Sequence, residues 1–203
     1  RAHPQTGMID DLIATQVDGA PMSDEDVKDL VFDVIVGGFD TVAGLLAGAL
    51  QWLQDRPEEK AQMLEDDRYL QTATEEFLRF VSPAVGLSRT AARDYLIGDQ
   101  SVAKGDRIYF MYRSANRDPE EFADPEQVDL ERRPNRHVAF GAGIHRCVGS
   151  NLARAIFQRV VRQFLARVPD YEVAEAEQYK LTNNNAGFAR MLMRYTPGRP
   201  SAV

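Results

Sequence analysis

Met8, Ile9, Leu12 and Ile13 recur at helical spacing and predict a helix over residues 7–16. Gly19-Ala20-Pro21 interrupts the pattern, and Ser23-Asp24-Glu25-Asp26 restarts it. A serine able to cap free backbone N–H groups, followed by acids at the positive end of the dipole, predicts a helix start. The helical pattern continues to about Gln54 and stops before Arg56-Pro57, long enough for one helix to cross a whole fold. Pro57-Glu58-Glu59 opens another helix to about Glu65, and residues 69–80 predict one more, ended by Ser82-Pro83. Beyond Pro83 the pattern shortens. Leu87–Thr90 and residues 107–112 predict strands, with a turn at Lys104-Gly105-Asp106. Residues 117–137 are charged and proline-rich without periodicity, which predicts an ordered meander. Residues 148–168 predict a helix stopped by Pro169, with Leu152, Ile156, Val160, Phe164 and Leu165 on its buried face. Weak strand signals follow at 171–173 and 190–194, with a turn at Asn183-Asn184-Asn185 and Gly187. The chain has no internal repeat and no low-complexity tract.

Composition narrows the class. The 203 residues are 44% hydrophobic with a formal charge of −7, enough for one sizeable core or two small ones. No apolar run reaches the length of a membrane span, because the richest, residues 42–53, is broken by Gly44, Gly48 and Gln51. Arg1-Ala2-His3-Pro4 has no signal-peptide pattern. One cysteine excludes an internal disulfide framework and fits a reducing cytoplasm. The acidic balance, with no basic block, argues against nucleic acid. The expectation is a cytoplasmic protein with neither nucleic acid nor membrane as partner.

That cysteine carries the most chemistry. Cys147 lies in Phe140-Gly141-Ala142-Gly143-Ile144-His145-Arg146-Cys147-Val148-Gly149, ahead of a helical run. Glycines at 141, 143 and 149 permit positive φ and close approach to a flat ligand. The first N–H groups of the helix favour an anion, so a thiolate placed there suits an iron. A buried structural cysteine is the alternative. A zinc site shared with His145 is another, but two ligands fall short of tetrahedral zinc, and His3 and His137 have no supporting cysteine. The spacing Phe-Gly-x-Gly-x-His-x-Cys-x-Gly resembles the haem-binding loop of the cytochromes P-450, the haem-thiolate monooxygenases.

Other motifs take meaning beside it. Gly37-Gly38-Phe39-Asp40-Thr41 sits inside the long helix, where each glycine costs about 1 kcal/mol relative to alanine. By itself the pair favours close helix packing or a kink, or it makes room over a flat cofactor. It also resembles the family's oxygen-activation motif, which implies that Thr41 and Asp40 are catalytic and deliver protons. Val42 stands where many relatives have a second threonine. Glu76-Phe77-Leu78-Arg79 puts an acid and a base three apart on a helix, an ordinary surface pair by itself. The resemblance makes it a buried network supporting the haem loop, completed by Arg132, or alternatively by Arg133. It further implies that Arg89 and His145 bind the haem propionates. Phe140 would pack beside the thiolate. By the same resemblance Gly38, Gly141 and Gly149 would belong to the cofactor site, and the N–H groups of Val148, Gly149 and Ser150 would donate to the sulfur. Ile35, Phe39, Ala84, Val85, Leu87 and Ala186 would line an apolar substrate pocket.

The resemblance also covers Asn116-Arg117-Asp118-Pro119 and Leu152-Ala153-Arg154, with Ile156 where relatives often have glutamate. It implies a mainly α fold with small β-sheets, the C-terminal haem-binding half of the cytochrome P-450 fold. Residues 1–203 would be a single haem-binding region, because family members are much longer and carry the loop late in the chain. The expected function is a haem-thiolate monooxygenase acting on a small apolar organic substrate. It would use haem b (iron protoporphyrin IX), with Cys147 as axial ligand, dioxygen as co-substrate and a ferredoxin-type electron donor. The alternative is a truncated or partner-dependent haem-binding half with no activity of its own, whose N-terminal half is a separate chain. A thiol-based metal or redox protein is a third class.

Overall fold

The computed structural model describes residues 7–179 and 185–197. His3, Asn183 and Asn184 lie outside them. Helix α1 (Met8–Ala14) is followed by a two-stranded antiparallel ribbon, β1 (Gln16–Val17) and β2 (Ala20–Pro21). Its turn is Asp18-Gly19, at φ of 52° and 79°. Ser23 then caps α2 (Asp24–Leu53): its Oγ accepts the N–H of Asp26 at 3.1 Å, while Asp26 Oδ2 accepts from Ser23. This reciprocal cap satisfies two otherwise free donors. The chain forms two compact units, one up to Asp40 and one from Thr41 on, and the division falls inside α2.

Helix α2 corrects one expectation. By length and composition it is apolar enough to cross a membrane, although core helices of globular proteins meet the same description. From Val34 to Leu53 its one charged residue is Asp40, and glycines do not break a helix's apolar length as they break a run.

In the second unit Pro57 opens α3 (Pro57–Glu65) as the first helical residue, where its missing N–H is not needed. Asp66 caps α4 (Asp67–Val81), accepting the N–H groups of Arg68 and Tyr69 at 2.7 and 3.3 Å. Ser82 closes the helix at φ 43°. Strand β3 (Leu87–Thr90) pairs antiparallel with β6 (Arg107–Phe110), Arg89 opposite Ile108. Between them β4 (Tyr95–Ile97) and β5 (Gln100–Val102) form a hairpin around Gly98 that periodicity did not reveal, since each strand has three residues. The chain leaves β6 two residues earlier than its pattern predicts and enters a short helix, α5 (Tyr112–Ala115). The meander follows, then α6 (Ser150–Arg167) and the antiparallel pair β7 (Glu172–Gln178) and β8 (Phe188–Arg194). The described residues are thus mainly helical with small antiparallel sheets.

The core joins the last turns of α2 to α3, α4 and α6. Phe77 stands at its centre, with Trp52 edge-on at 5.6 Å and Phe157 at 6.0 Å between ring centres. On α6, Leu165 is buried and Phe164 packs against the core as expected, but Leu152 and Val160 of the expected Leu152-Ile156-Val160 stripe are exposed, and Phe157 and Val161 are buried in their stead. The two stripes are adjacent and both apolar; the one carrying an aromatic ring meets Phe77. The packing glycines are also not the expected pair. A Cβ on Gly37 or Gly38 would meet no described atom within 4 Å, whereas one on Gly48 would stand 2.8 Å from Val81 and one on Gly44 2.9 Å from the Ala186 carbonyl.

Candidate functional site

Glycine geometry and backbone hydrogen bonds shape the cysteine loop. Gly141 and Gly143 take φ of 68° and 72°, a region that side chains disfavour. The Gly141 N–H donates to Val138 O at 2.9 Å, and Gly143–His145 forms a tight turn. The Cys147 N–H donates to Phe140 O at 2.9 Å, which closes the loop at its base. The sulfur is exposed, so Cys147 is not a buried structural residue. Ile144 and Val148 flank it at 97% and 99% exposure, an apolar surface on an otherwise polar turn. A Cβ on Gly149 would reach within 3.8 Å of Cys147 Sγ. Of the three amides expected at the sulfur, that of Ser150 donates to the Cys147 carbonyl at 3.3 Å, because the turn already winds toward α6 there.

Beneath the loop, Glu76 and Arg79 form a pair with both side chains fully buried, not a surface salt bridge. Arg79 uses all five of its N–H donors: Nε and Nη2 on the Glu76 carboxylate, Nη1 on Asn116 O and Pro125 O, and Nη2 again on Gln127 O. Glu76 also receives Arg132 Nε at 3.2 Å, the Asp129 N–H at 2.9 Å and Asn135 Nδ2 at 3.0 Å. Arg133 reaches Thr72 instead. A buried ion pair is tolerable only when its remaining valences are filled this way.

A second cluster went unseen in the sequence. Glu75, beside Glu76, takes two hydrogen bonds from Arg154 at 2.6 and 2.7 Å and lies 3.0 Å from His137 Nε2. Burial pushes its carboxyl up, but hydrogen bonds from Arg154 and His137, with the Arg154 charge, outweigh it and hold the carboxyl at about 2. The hydrogen bonds to Glu75, with its charge, raise the Arg154 guanidinium above its ordinary value against the opposing effect of burial. Asn116, fully buried, donates to Ser82 Oγ at 2.8 Å and accepts the Val138 N–H at 2.7 Å, tying the end of α4 to the loop's approach. The doubled glutamate and the Asn-Arg-Asp-Pro run were the available signals.

Thr41 is half-buried and Asp40 exposed on α2. One turn beyond Thr41, Gly44 abuts Ala186 O and the Pro83 side chain. Ala84 bridges to Asn185, and the Ala186 N–H donates to Pro83 O at 2.8 Å. Val85 O accepts from Arg113, and Leu87 opens β3 as an exposed residue. In this unit, therefore, Pro83 and Ala186 stand against Gly44 of α2, with Ala84 beside them through its bridge to Asn185. In the first unit, Gly38 faces open space, and Ile35 and Phe39 are exposed. Arg89 and His145 are both exposed, Arg89 giving one nitrogen to Ser88 O.

Among the described residues no three His, Cys, Asp or Glu side chains gather as a metal site. The donor set is one exposed sulfur with glycines around it, two bare apolar side chains, and the exposed Arg89 and His145. It suits a flat iron macrocycle that brings its own equatorial ligands and anionic edge, and it does not suit zinc.

A model of the family "Cytochrome P450" matches residues 1–194. Cytochrome P450 130 of Mycobacterium tuberculosis is 37% identical over 179 residues, covering 87% of this chain and 44% of that protein. Steroid C26-monooxygenase of Mycolicibacterium smegmatis is 32% identical over 202 residues, 98% of this chain and 50% of that one. The solved structure of Mycobacterium marinum cytochrome P450 CYP268A2 in complex with pseudoionone superposes with a TM-score of 0.86 at 33% identity, over 96% of this chain and 47% of that one. The chain spans about half the length of the relatives it matches.

Proposed function

The chain belongs to the cytochrome P450 family, and on that premise we propose that it is the haem-carrying half of a haem-thiolate monooxygenase. The observation that carries the reading is Cys147: an exposed cysteine whose backbone N–H donates to Phe140 O at 2.9 Å, on a loop bent by Gly141 and Gly143. Haem b, when bound, supplies the iron at which dioxygen is activated and one oxygen atom is passed to an organic substrate.

The chain's own residues do the rest. Cys147 would hold the iron as thiolate. Arg89 and His145 would hold the propionates, the Arg89 guanidinium through charge-assisted hydrogen bonds. Phe140 shields the sulfur, and Gly141 and Gly149 leave room for the ring. Glu76, Arg79 and Arg132 keep the loop's footing rigid. The Thr41 hydroxyl supplies a proton path to the oxygen-binding side. Ala84, Val85, Leu87 and Ala186 face the substrate. The roles of Gly38, Asp40, Ile35 and Phe39, on the first unit, rest on the family resemblance. An apolar substrate is supported by these side chains and by the steroid and pseudoionone named for two relatives. A ferredoxin-type donor supplies the electrons, and the cytoplasm is the setting.

A second reading is favoured by the exposed apolar run of Val34, Ile35, Val36 and Phe39 on α2, a surface that suits a covering partner. In it, this chain binds haem but turns over only with an N-terminal half as a separate chain. The absorbance of the dithionite-reduced, carbon-monoxide-bound protein tests the shared premise. A strongly red-shifted Soret band that Cys147→Ser removes is expected. An unshifted band, unchanged by that substitution, overturns both readings. A red-shifted band with turnover only after a co-purifying polypeptide is added selects the second.

A further inference from the structure

Arg154 is held on three sides. Its Nε and Nη2 grip Glu75 of α4, its Nη1 donates to Ser150 O at 3.2 Å, and its guanidinium lies 4.7 Å from the centre of the Phe140 ring. His137 braces the same carboxylate. The Ala139 N–H donates to His137 Nδ1 at 3.2 Å, so Nδ1 is the acceptor and Nε2 carries the proton given to Glu75. The His137 and Phe140 rings stand 6.1 Å apart. Phe140 is thus gripped by a cation on α6 and an imidazole on the loop's approach, both oriented by Glu75. Its carbonyl in turn receives the Cys147 N–H.

We propose that Arg154, oriented by Glu75, is a positioning residue for Cys147, acting through the Phe140 ring and carbonyl on the backbone that aims the sulfur. The proposal rests on the reading of Cys147 as the haem ligand. Planarity is what the site uses. A guanidinium can bind both carboxylate oxygens and cover an aromatic face at once, whereas an ammonium cannot do both. The tie between α4 and α6 is not itself the point, because Arg162 and Asp67 make another such tie further along the same two helices.

Three variants separate positioning from plain tethering: Arg154→Lys, Glu75→Gln and Arg162→Gln. The first readout needs no haem. Hydrogen exchange of the Cys147 amide, followed by NMR on the haem-free chain, reports the bond to Phe140 O. Arg154→Lys and Glu75→Gln should speed it about fivefold to tenfold, the size expected for losing one modest contact. Arg162→Gln should leave it unchanged. In the second readout, at equal haem content, the first two variants should move part of the reduced carbon-monoxide complex from the red-shifted to the unshifted Soret position. Glu75→Gln, nearly isosteric, decides the matter should Arg154→Lys unfold. Unchanged amide exchange in Glu75→Gln, or an equal effect from Arg162→Gln, overturns the proposal. A wild-type chain without a red-shifted band would sink the haem reading alone, since the exchange result stands by itself.

Discussion

Arg79 and Glu76 meet through two hydrogen bonds of 2.8 and 2.7 Å with neither side chain exposed. Three residues apart on one helix, they form a local pair that distant carbonyls make permanent. Removing one partner leaves a buried charge with no counter-charge. Glu76→Gln, which leaves the fully buried Arg79 without a carboxylate, should therefore cost about 3–5 kcal/mol. Urea unfolding monitored by circular dichroism measures it. A loss near that of an exposed pair would mean that water reaches the network.

The glycines of α2 should split into two classes. Gly37→Ala removes a helix-interior glycine where a Cβ meets open space, so stability should rise by about 1 kcal/mol. Gly48→Ala drives a methyl to 2.8 Å from a stiff β-branched Val81, and Gly44→Ala to 2.9 Å from a backbone carbonyl. Each should cost about 1–3 kcal/mol through overpacking. Val81→Ala should restore much of the loss in Gly48→Ala and little of that in Gly44→Ala, which a double-mutant cycle resolves.

Glu75 predicts an acid limb. Its carboxyl is depressed from 4.5 to about 2 in the folded chain. A depressed carboxyl stabilises the fold above its unfolded value, and that stability is lost as pH falls through the folded one. Wild type should exceed Glu75→Gln in stability at neutral pH, with the gap closing between about 4.5 and about 2. A gap that stays constant across that window would show that Glu75 contributes by shape and not by charge.

Asp66 is a cap with two amide bonds. Asp66→Ala should lower stability by about 1 kcal/mol, read as a drop in Tm, and Asp66→Asn should recover most of it.

Cys147 is the single cysteine and is exposed. One iodoacetamide label per chain is expected by mass in the haem-free protein. Prior haem loading should suppress it.

The sequence by itself determined what depends on near neighbours. Ser23 and Pro57 mark helix starts, Ser82-Pro83 a stop, and Leu87–Thr90 a strand, because capping, a missing N–H and alternation act within a few residues. The six specified residues from Phe140 to Gly149 were legible as a signature of the family for the same reason: one short segment carries the whole pattern. Tertiary structure alone decided the rest. Residues 132 and 133 are both arginine, and only the path of the meander sends the first to Glu76 and the second to Thr72. Two adjacent stripes of α6 are apolar, and the ring of Phe77 selects the one with Phe157. Gly37-Gly38 and Gly44 with Gly48 carry the same local cost, and only the second pair has a neighbour that needs the missing side chain. Glu75 and Arg154 are 79 positions apart and meet because α4 and α6 pack together. Local rules say which groups a segment offers; packing at van der Waals distance says which of them are used.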